Sequence, residues 1–440
     1  MTKVIKKIKE ILYNSYYILN RQNKPSAILK KTKYLKFNIN DYKFWFDKNN
    51  LNASLLREKV KQGRKIKVAF LVNWCFCWTS ESIMLEMMKN SLFEVSIIVA
   101  PVSFYEIDTA LKIYKDNLAQ IKQKYKDKVP VYEGYDFKNS QITDYTNMFD
   151  IIFVPSNDEG IEFNEYKIYN LLKNNVLPCY VCYAYYVAKD SAILSDTYNL
   201  CWKVFVENNL NLEDFKQRQA IKGKNAVVTG YPKTDAFYGL KKSEHKRKQI
   251  IIAPHHSING YGLQGQFLKY SELFLELPKM YPQIDFIFRP HPLLYNALRQ
   301  SQYWGEGETQ KYYDKISSYD NCIYDTKSDY YQTFVDSDGI IHDCGSFLPE
   351  YLFTHNPPCY MLRDENAINE YFGPFGKGCL DNYYKAYNKD DIISYIDNVV
   401  LKEKDTMKTK REEFANKYVK YNFPNVAKHI AEYIEGVLTK

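Results

Sequence analysis

Five of the seven histidines, His255, His256, His291, His342 and His355, fall within 101 residues, and the first four each follow an apolar run that reads as a strand. Ligands of an open parallel α/β sheet bind outside the carboxyl ends of the strands, so residues at successive strand ends converge on one crevice. Imidazoles gathered there suit phosphate handling or proton transfer near neutrality. In Phe286-Ile287-Phe288-Arg289-Pro290-His291-Pro292 a strand ends in a cation and in a histidine fixed between two prolines, a pairing suited to a diphosphate. In Asp338 to Glu350 a short strand enters the turn Asp343-Cys344-Gly345-Ser346. Ser346 is expected to cap a helix from Phe347, and the Gly345 and Ser346 amides with the helix dipole would make an anion site. His255, His256, His342 and Asp343 would also supply a metal site, but they lie on separate loops without a short ligand motif such as H-E-x-x-H. No metal and no cofactor are expected.

Positioning these residues requires two sheets. Lys65 to Asn73 is an apolar run followed by helical spacing over Ser80 to Asn90, and strands read again at Val95 to Ala100, Phe149 to Val154, Pro178 to Tyr183, Lys203 to Val206 and Ala226 to Thr229. Gly230-Tyr231-Pro232 breaks this series, and Lys241 to Lys248 is a charged linker. A second series follows at Gln249 to Ala253, Ile284 to Phe288, Asn321 to Tyr324, Gly339 to Ile341 and Pro358 to Leu362, with helices such as Leu268 to Leu277 and Asp329 to Val335 between them. Strand and helix alternation of this kind gives parallel sheets with helices on both faces. The expected organisation is a basic helical N-terminal appendage (1–60), two doubly wound Rossmann-like lobes facing a cleft (61–240 and 241–400), and C-terminal helices (401–440) interrupted at Asn422 to Asn425.

The 440 residues are 45% hydrophobic and 25% charged, as in an ordinary soluble protein. Residues 1–50 carry twelve Lys or Arg against three acids, which exceeds the +8 of the whole chain, so the body is nearly neutral. That argues against a nucleic-acid groove over the lobes. Val4, Ile5, Ile8, Ile11 and Leu12 have helical spacing with lysines between them. The pattern fits a helix on an anionic membrane face, and equally a solvated helix packed on the first lobe. No apolar run is long enough to span a bilayer. Nine scattered cysteines without a secretory signal point to a reduced, cytosolic chain, with Cys75, Cys77, Cys179 and Cys182 read as thiols packed in strand-like segments.

Four stretches in order resemble the CDP-glycerol glycerophosphotransferase family, the teichoic-acid and capsule polymerases and primases. They are Gly230-Tyr231-Pro232-Lys233-Thr234-Asp235, Ile251-Ile252-Ala253-Pro254, Arg289-Pro290-His291-Pro292, and Asp343 to Glu350, and Arg411 to Ile434 is similar to the family's closing helices. The resemblance implies a GT-B fold, a donor-binding C-terminal lobe and an acceptor-binding N-terminal lobe. It implies transfer of a polyol phosphate from a CDP-linked donor to a hydroxyl of a glycan or lipid-linked acceptor, with release of CMP. Arg289, His291, Asp343, Gly345 and Ser346 would then contact the donor, Glu350 its ribose or base, and His255 or His256 would accept the proton. The family's His-Gly pair after the Pro178 to Tyr183 strand is replaced here by Tyr183-Ala184. That departure leaves two other readings in play: a nucleotide-sugar glycosyltransferase for capsule or lipooligosaccharide, and a non-catalytic nucleotide-binding protein.

Overall fold

A computed structural model describes residues 39–440 apart from 104–105, 157–162, 190–192, 194, 259–264 and 328, and the side chain of residue 77. The amphipathic segment expected around residues 4–12 lies outside the described residues. In the first lobe, strands β1 (Ile66–Val72), β2 (Phe93–Val99) and β3 (Val131–Glu133) are followed by a small hairpin, β4 (Tyr135–Asp136) with β5 (Gln141–Ile142). Strands β6 (Ile151–Val154), β7 (Leu177–Val181), β8 (Lys203–Val206) and β9 (Ala226–Val228) complete it. The order β3-β2-β1-β6-β7-β8-β9 makes one parallel seven-stranded sheet. Its central strands β1, β6 and β7 are buried almost throughout, as expected of a sheet covered by helices on both faces.

The second lobe holds β10 (Lys248–Ala253), β11 (Ile284–Phe288), β12 (Cys322–Tyr324), β13 (Gly339–His342), β14 (Pro358–Met361) and β15 (Tyr384–Ala386), in the parallel order β12-β11-β10-β13-β14-β15. All eleven strands expected from the apolar runs are present within a few residues. The three-residue β3 and β15 have no apolar run to mark them. In both sheets the chain turns back at the strand where the lobe begins, between β1 and β6 and between β10 and β13. Such reversal points open a crevice at the strand ends.

The lobes are tied by chain that crosses between them. The final helix, Val426–Thr439, belongs to the first lobe's core, where Val426, Ile430, Ile434 and Leu438 are fully buried among residues of β1, β2 and the Glu81–Met87 helix. The residues read as C-terminal helices therefore divide between the lobes. Residues 39–60, read as part of an appendage, form most of a helix, Ile39–Lys61, whose Tyr42, Trp45, Leu56 and Val60 are buried in the same lobe. Tyr42 Oη donates to Asp196 at 2.6 Å.

The Gly230 to Asp235 turn holds this crossing. Asp235 accepts from the Val426 and Ala427 amides at 3.1 and 3.0 Å, and so caps the final helix from outside it. Gly230 has φ +93°, and a Cβ there would lie 2.2 Å from the Tyr421 carbonyl oxygen. Gly230→Ala is therefore expected to lose about 1–3 kcal/mol of stability, read as a lower denaturant midpoint with unchanged secondary structure by circular dichroism.

Candidate active site

β10 and β11 are paired so that Ile252 stands opposite Phe288, and beyond them the Arg289 amide donates to Ile252 O and the His291 amide to Pro254 O. This register brings the two strand ends side by side and gathers His255, His256 and His291 into one cluster. Ring centroids are 4.2 Å apart for His255 and His256, 4.1 Å for His256 and His291, and 5.1 Å for His255 and His291. The cluster lines a cleft of about 290 Å³ between the lobes. Cys344, Gly345 and Ser346 form the rest of the second lobe's wall with Tyr371. The first lobe contributes Tyr180 and the segment Cys182 to Ala188, directly beyond β7.

Burial sets the charge of the rings. It lowers the pKa of His255 to about 3, with further lowering by His256 and His291, and it lowers His291 to about 4, aided by His256. His256 is lowered by burial too. At neutral pH the cluster is three uncharged imidazoles with lone pairs to offer. His291 Nδ1 accepts from the Leu293 amide at 3.1 Å, and His255 Nδ1 lies 2.8 Å from Ser257 Oγ.

Several expected donor contacts are used elsewhere. Arg289 donates to Asp325 Oδ2 at 2.6 Å and to the Lys327 carbonyl at 2.6 Å, and its guanidinium lies 5.0 Å over the Tyr330 ring. The β11–β12 pairing delivers Asp325 to this position, so the cation is neutralised at the strand end and does not line the cleft. Asp343 is fully buried, with Oδ1 accepting from the His255 amide and Oδ2 from the Gln266 amide, each at 2.6 Å. It holds the loop that carries His255 in place of touching a ligand, and burial raises its pKa to about 7 against those bonds.

The Gly345–Ser346 turn also differs from expectation. A helix begins at Phe347, but Ser346 makes no capping bond and the α-helical segment is only four residues long. The Ser346 hydroxyl lies 3.2 Å from Cys344 Sγ, and the Ser346 and Phe347 amides also point at that sulfur. The turn reaches the cleft as a wall, with its own thiol where an anion was expected.

Glu350 is sealed in the core, accepting from Tyr330 Oη at 2.5 Å, and does not line the cleft. His342 is fully buried, its Nδ1 accepting from the Cys344 amide at 3.2 Å, so it and Asp343 cannot join His255 and His256 as ligands. His355 sits at a left-handed helix end with Lys420 Nζ 2.7 Å from its Nε2. Cys179 and Cys182 are buried thiols, and Cys182 Sγ lies 2.8 Å from Tyr198 Oη.

Three contributors had no local signal. Ser257 orients His255 and also accepts from the Gly265 amide at 3.1 Å. Tyr371 arrives because residues 187–189 pair with 371–373, through Lys189 N to Tyr371 O and Gly373 N to Val187 O. Buried Glu207, just beyond β8, accepts from the Tyr186 amide at 3.0 Å and from Asn211 at 2.6 Å, and so fixes the first lobe's wall.

Two facing Rossmann-like lobes with a cleft between their strand ends define the GT-B class. Solved structures of similar fold are MnaA of S. aureus with UDP (TM-score 0.54, 13% identity, covering 85% of this chain and 98% of that one) and the UDP-GlcNAc 2-epimerase of Neisseria meningitidis bound to UDP-GlcNAc (0.52, 15%, 84% and 100%). The wall teichoic acid polymerase TagF is similar as well (0.53, 14%, 89% and 93%). At such identities the likeness is one of fold. No curated protein sequence matches the chain. The model of the CDP-Glycerol:Poly(glycerophosphate) glycerophosphotransferase family matches residues 185–436, more than half of the chain. The chain belongs to this family, and it is a transferase.

The buried acids give the fold a pH dependence. Burial raises Glu350 from 4.5 to about 7 in the folded protein, against the bond from Tyr330 and the charge of Lys233. Between those values only the folded state holds the proton, so stability falls as pH rises through that window and levels off above it. Glu350→Gln should remove its share of this slope in denaturation midpoints measured from pH 4.5 to 8, while Asp343 keeps its own.

Proposed function

We propose that the protein transfers glycerol phosphate, or a related polyol phosphate, from a CDP-linked donor to a hydroxyl of a glycan or lipid-linked acceptor during cell-surface polymer synthesis. The acceptor oxygen attacks the donor's β-phosphorus, the phosphoanhydride bond breaks, and CMP leaves. The hydroxyl proton passes to an uncharged imidazole, His256 or, less readily because burial and its two neighbours disfavour its protonated form, His255, and His291 contacts the diphosphate. A neutral histidine within reach of the cleft is able to take a proton that the absent His-Gly pair would otherwise accept.

The observation that carries this reading is the convergence of His255, His256 and His291 on the interlobe cleft of a chain belonging to a glycerophosphotransferase family. TagF, a structural neighbour, has been solved after soaking with CDPG. The first-lobe wall at Tyr183-Ala184, opposite the rings, is where the acceptor would enter. CMP release, followed by mass spectrometry with CDP-glycerol and other CDP-polyols plus a glycan acceptor, tests the proposal. Removing the proton acceptor, by His255→Ala or by His256→Ala, should lower the rate by about a hundredfold or more, with the thermal midpoint showing that the variant is folded. A wild-type protein that turns over nucleotide sugars and no CDP-polyol would overturn it.

Among the described residues no helix is long and apolar enough to cross a membrane. We propose that the basic residues preceding the described structure contact an anionic membrane face on the cytoplasmic side. Removing residues 1–22 should shift the protein from vesicles of anionic lipid to the supernatant in a sedimentation assay, and unchanged partitioning would refute this.

A further inference from the structure

We propose that His255, His256 and His291 form a site for one divalent transition-metal ion of the zinc type, open on its fourth side to the interlobe cleft. Each ring can offer one nitrogen such that all three lie within 4.8 Å of one another. A tetrahedral zinc ion with nitrogen ligands at about 2.0–2.1 Å needs them somewhat closer, a movement of the order of a side-chain adjustment. Three histidines with an open fourth position are a recurrent zinc arrangement. The inference does not depend on what the donor is.

Independent observations support it. His256 Nδ1 is buried and has no hydrogen-bond partner, which leaves a lone pair unsatisfied at a cost of about 1–3 kcal/mol. His255 Nδ1 takes the Ser257 amide at 3.3 Å with Ser257 Oγ at 2.8 Å, so ligation through Nε2 exchanges the amide bond for a proton on Nδ1 that Oγ can accept, the outer contact that metal-binding histidines usually make. His291 Nδ1 holds the Leu293 amide, so ligation through its Nε2 exchanges that contact for a proton on Nδ1. Among the described residues no lysine or arginine lines the cleft to repel a cation.

An ion held here takes the lone pairs assigned above to proton acceptance, so the two uses are alternative states of one cluster. The ion-bearing state would give the otherwise uncharged cleft a positive centre for an anionic ligand. The full-length protein, treated with chelator and dialysed, would be titrated with Co²⁺ and separately with Zn²⁺. One equivalent of Co²⁺ should bind with the visible absorption of a four- or five-coordinate ion, and Zn²⁺ should displace it.

His255→Ala and His256→Ala should abolish the band, Ser257→Ala should weaken binding by roughly tenfold, and His245→Gln, on the linker, should change nothing. Thermal midpoints in chelator establish that each variant is folded, and Ser257→Ala keeps the test open if a histidine variant does not fold. No visible band in the wild type, or a band that survives His256→Ala, would overturn the proposal. Metal binding together with no CMP release by the metal-free, chelator-treated protein would sink the polyol-phosphate reading and leave this one standing, and CMP release without metal binding would do the opposite.

Discussion

The site depends on one buried carboxylate. Asp343 sits just past β13, and its two oxygens take the amides of His255 and Gln266 from the far side of the sheet's reversal point. Charge-assisted bonds to backbone amides are the stronger kind, and full burial shields them from competing water. Removing the carboxylate would leave two amides without partners in a dry site and release the loop between β10 and the Phe267–Met280 helix. Tyr360 Oη in turn donates to the Asp343 carbonyl at 2.9 Å, which anchors the carboxylate's own backbone.

The other constraint is the crossing between lobes. A cleft is useful only if its walls keep their spacing, and here the chain crosses from the first lobe to the second near Gly230 and returns after residue 419. Asp235 caps the returning helix, and Tyr185, Tyr231, Phe237 and Phe375 share a single apolar cluster across the junction. The pairing of residues 187–189 with 371–373 adds backbone bonds at the floor of the cleft. The Gly-x-Pro-x-x-Asp turn is thus a structural device, with each of its fixed residues accounted for by a close approach, a helix start or a cap.

Family membership and cleft chemistry meet at a departure. Where the family pattern places a histidine and glycine after β7, this chain has exposed Tyr183 and half-buried Ala184, and the imidazoles stand on the opposite wall. The neutral state of those rings is set by their mutual proximity and burial, so the same cluster has the electronic form needed to accept a proton or to ligate a metal. Arg289 cannot serve as the cleft's cation while Asp325 holds it.

Eleven strands and the turn between the two series were legible in the sequence, because an apolar run bounded by turn residues is a local signal of burial, whereas the helices at either end, read as separate from the lobes, pack into the first lobe's core. His255, His256 and His291 were legible as strand-end residues for the same reason. The fates of Arg289, Asp343, Ser346 and Glu350 were not, because a charged or polar residue at a strand end reads alike whether it faces a ligand or a buried partner. That choice belongs to strand order: β12 beside β11 supplies Asp325 to Arg289, and β13 beside β10 turns Asp343 inward. The sequence by itself determined which segments are buried and which residues stand at their ends. Only the tertiary structure decided which of those ends are neighbours, since parallel strands far apart in the chain pair by packing across the whole sheet, and pairing selects three histidines from five.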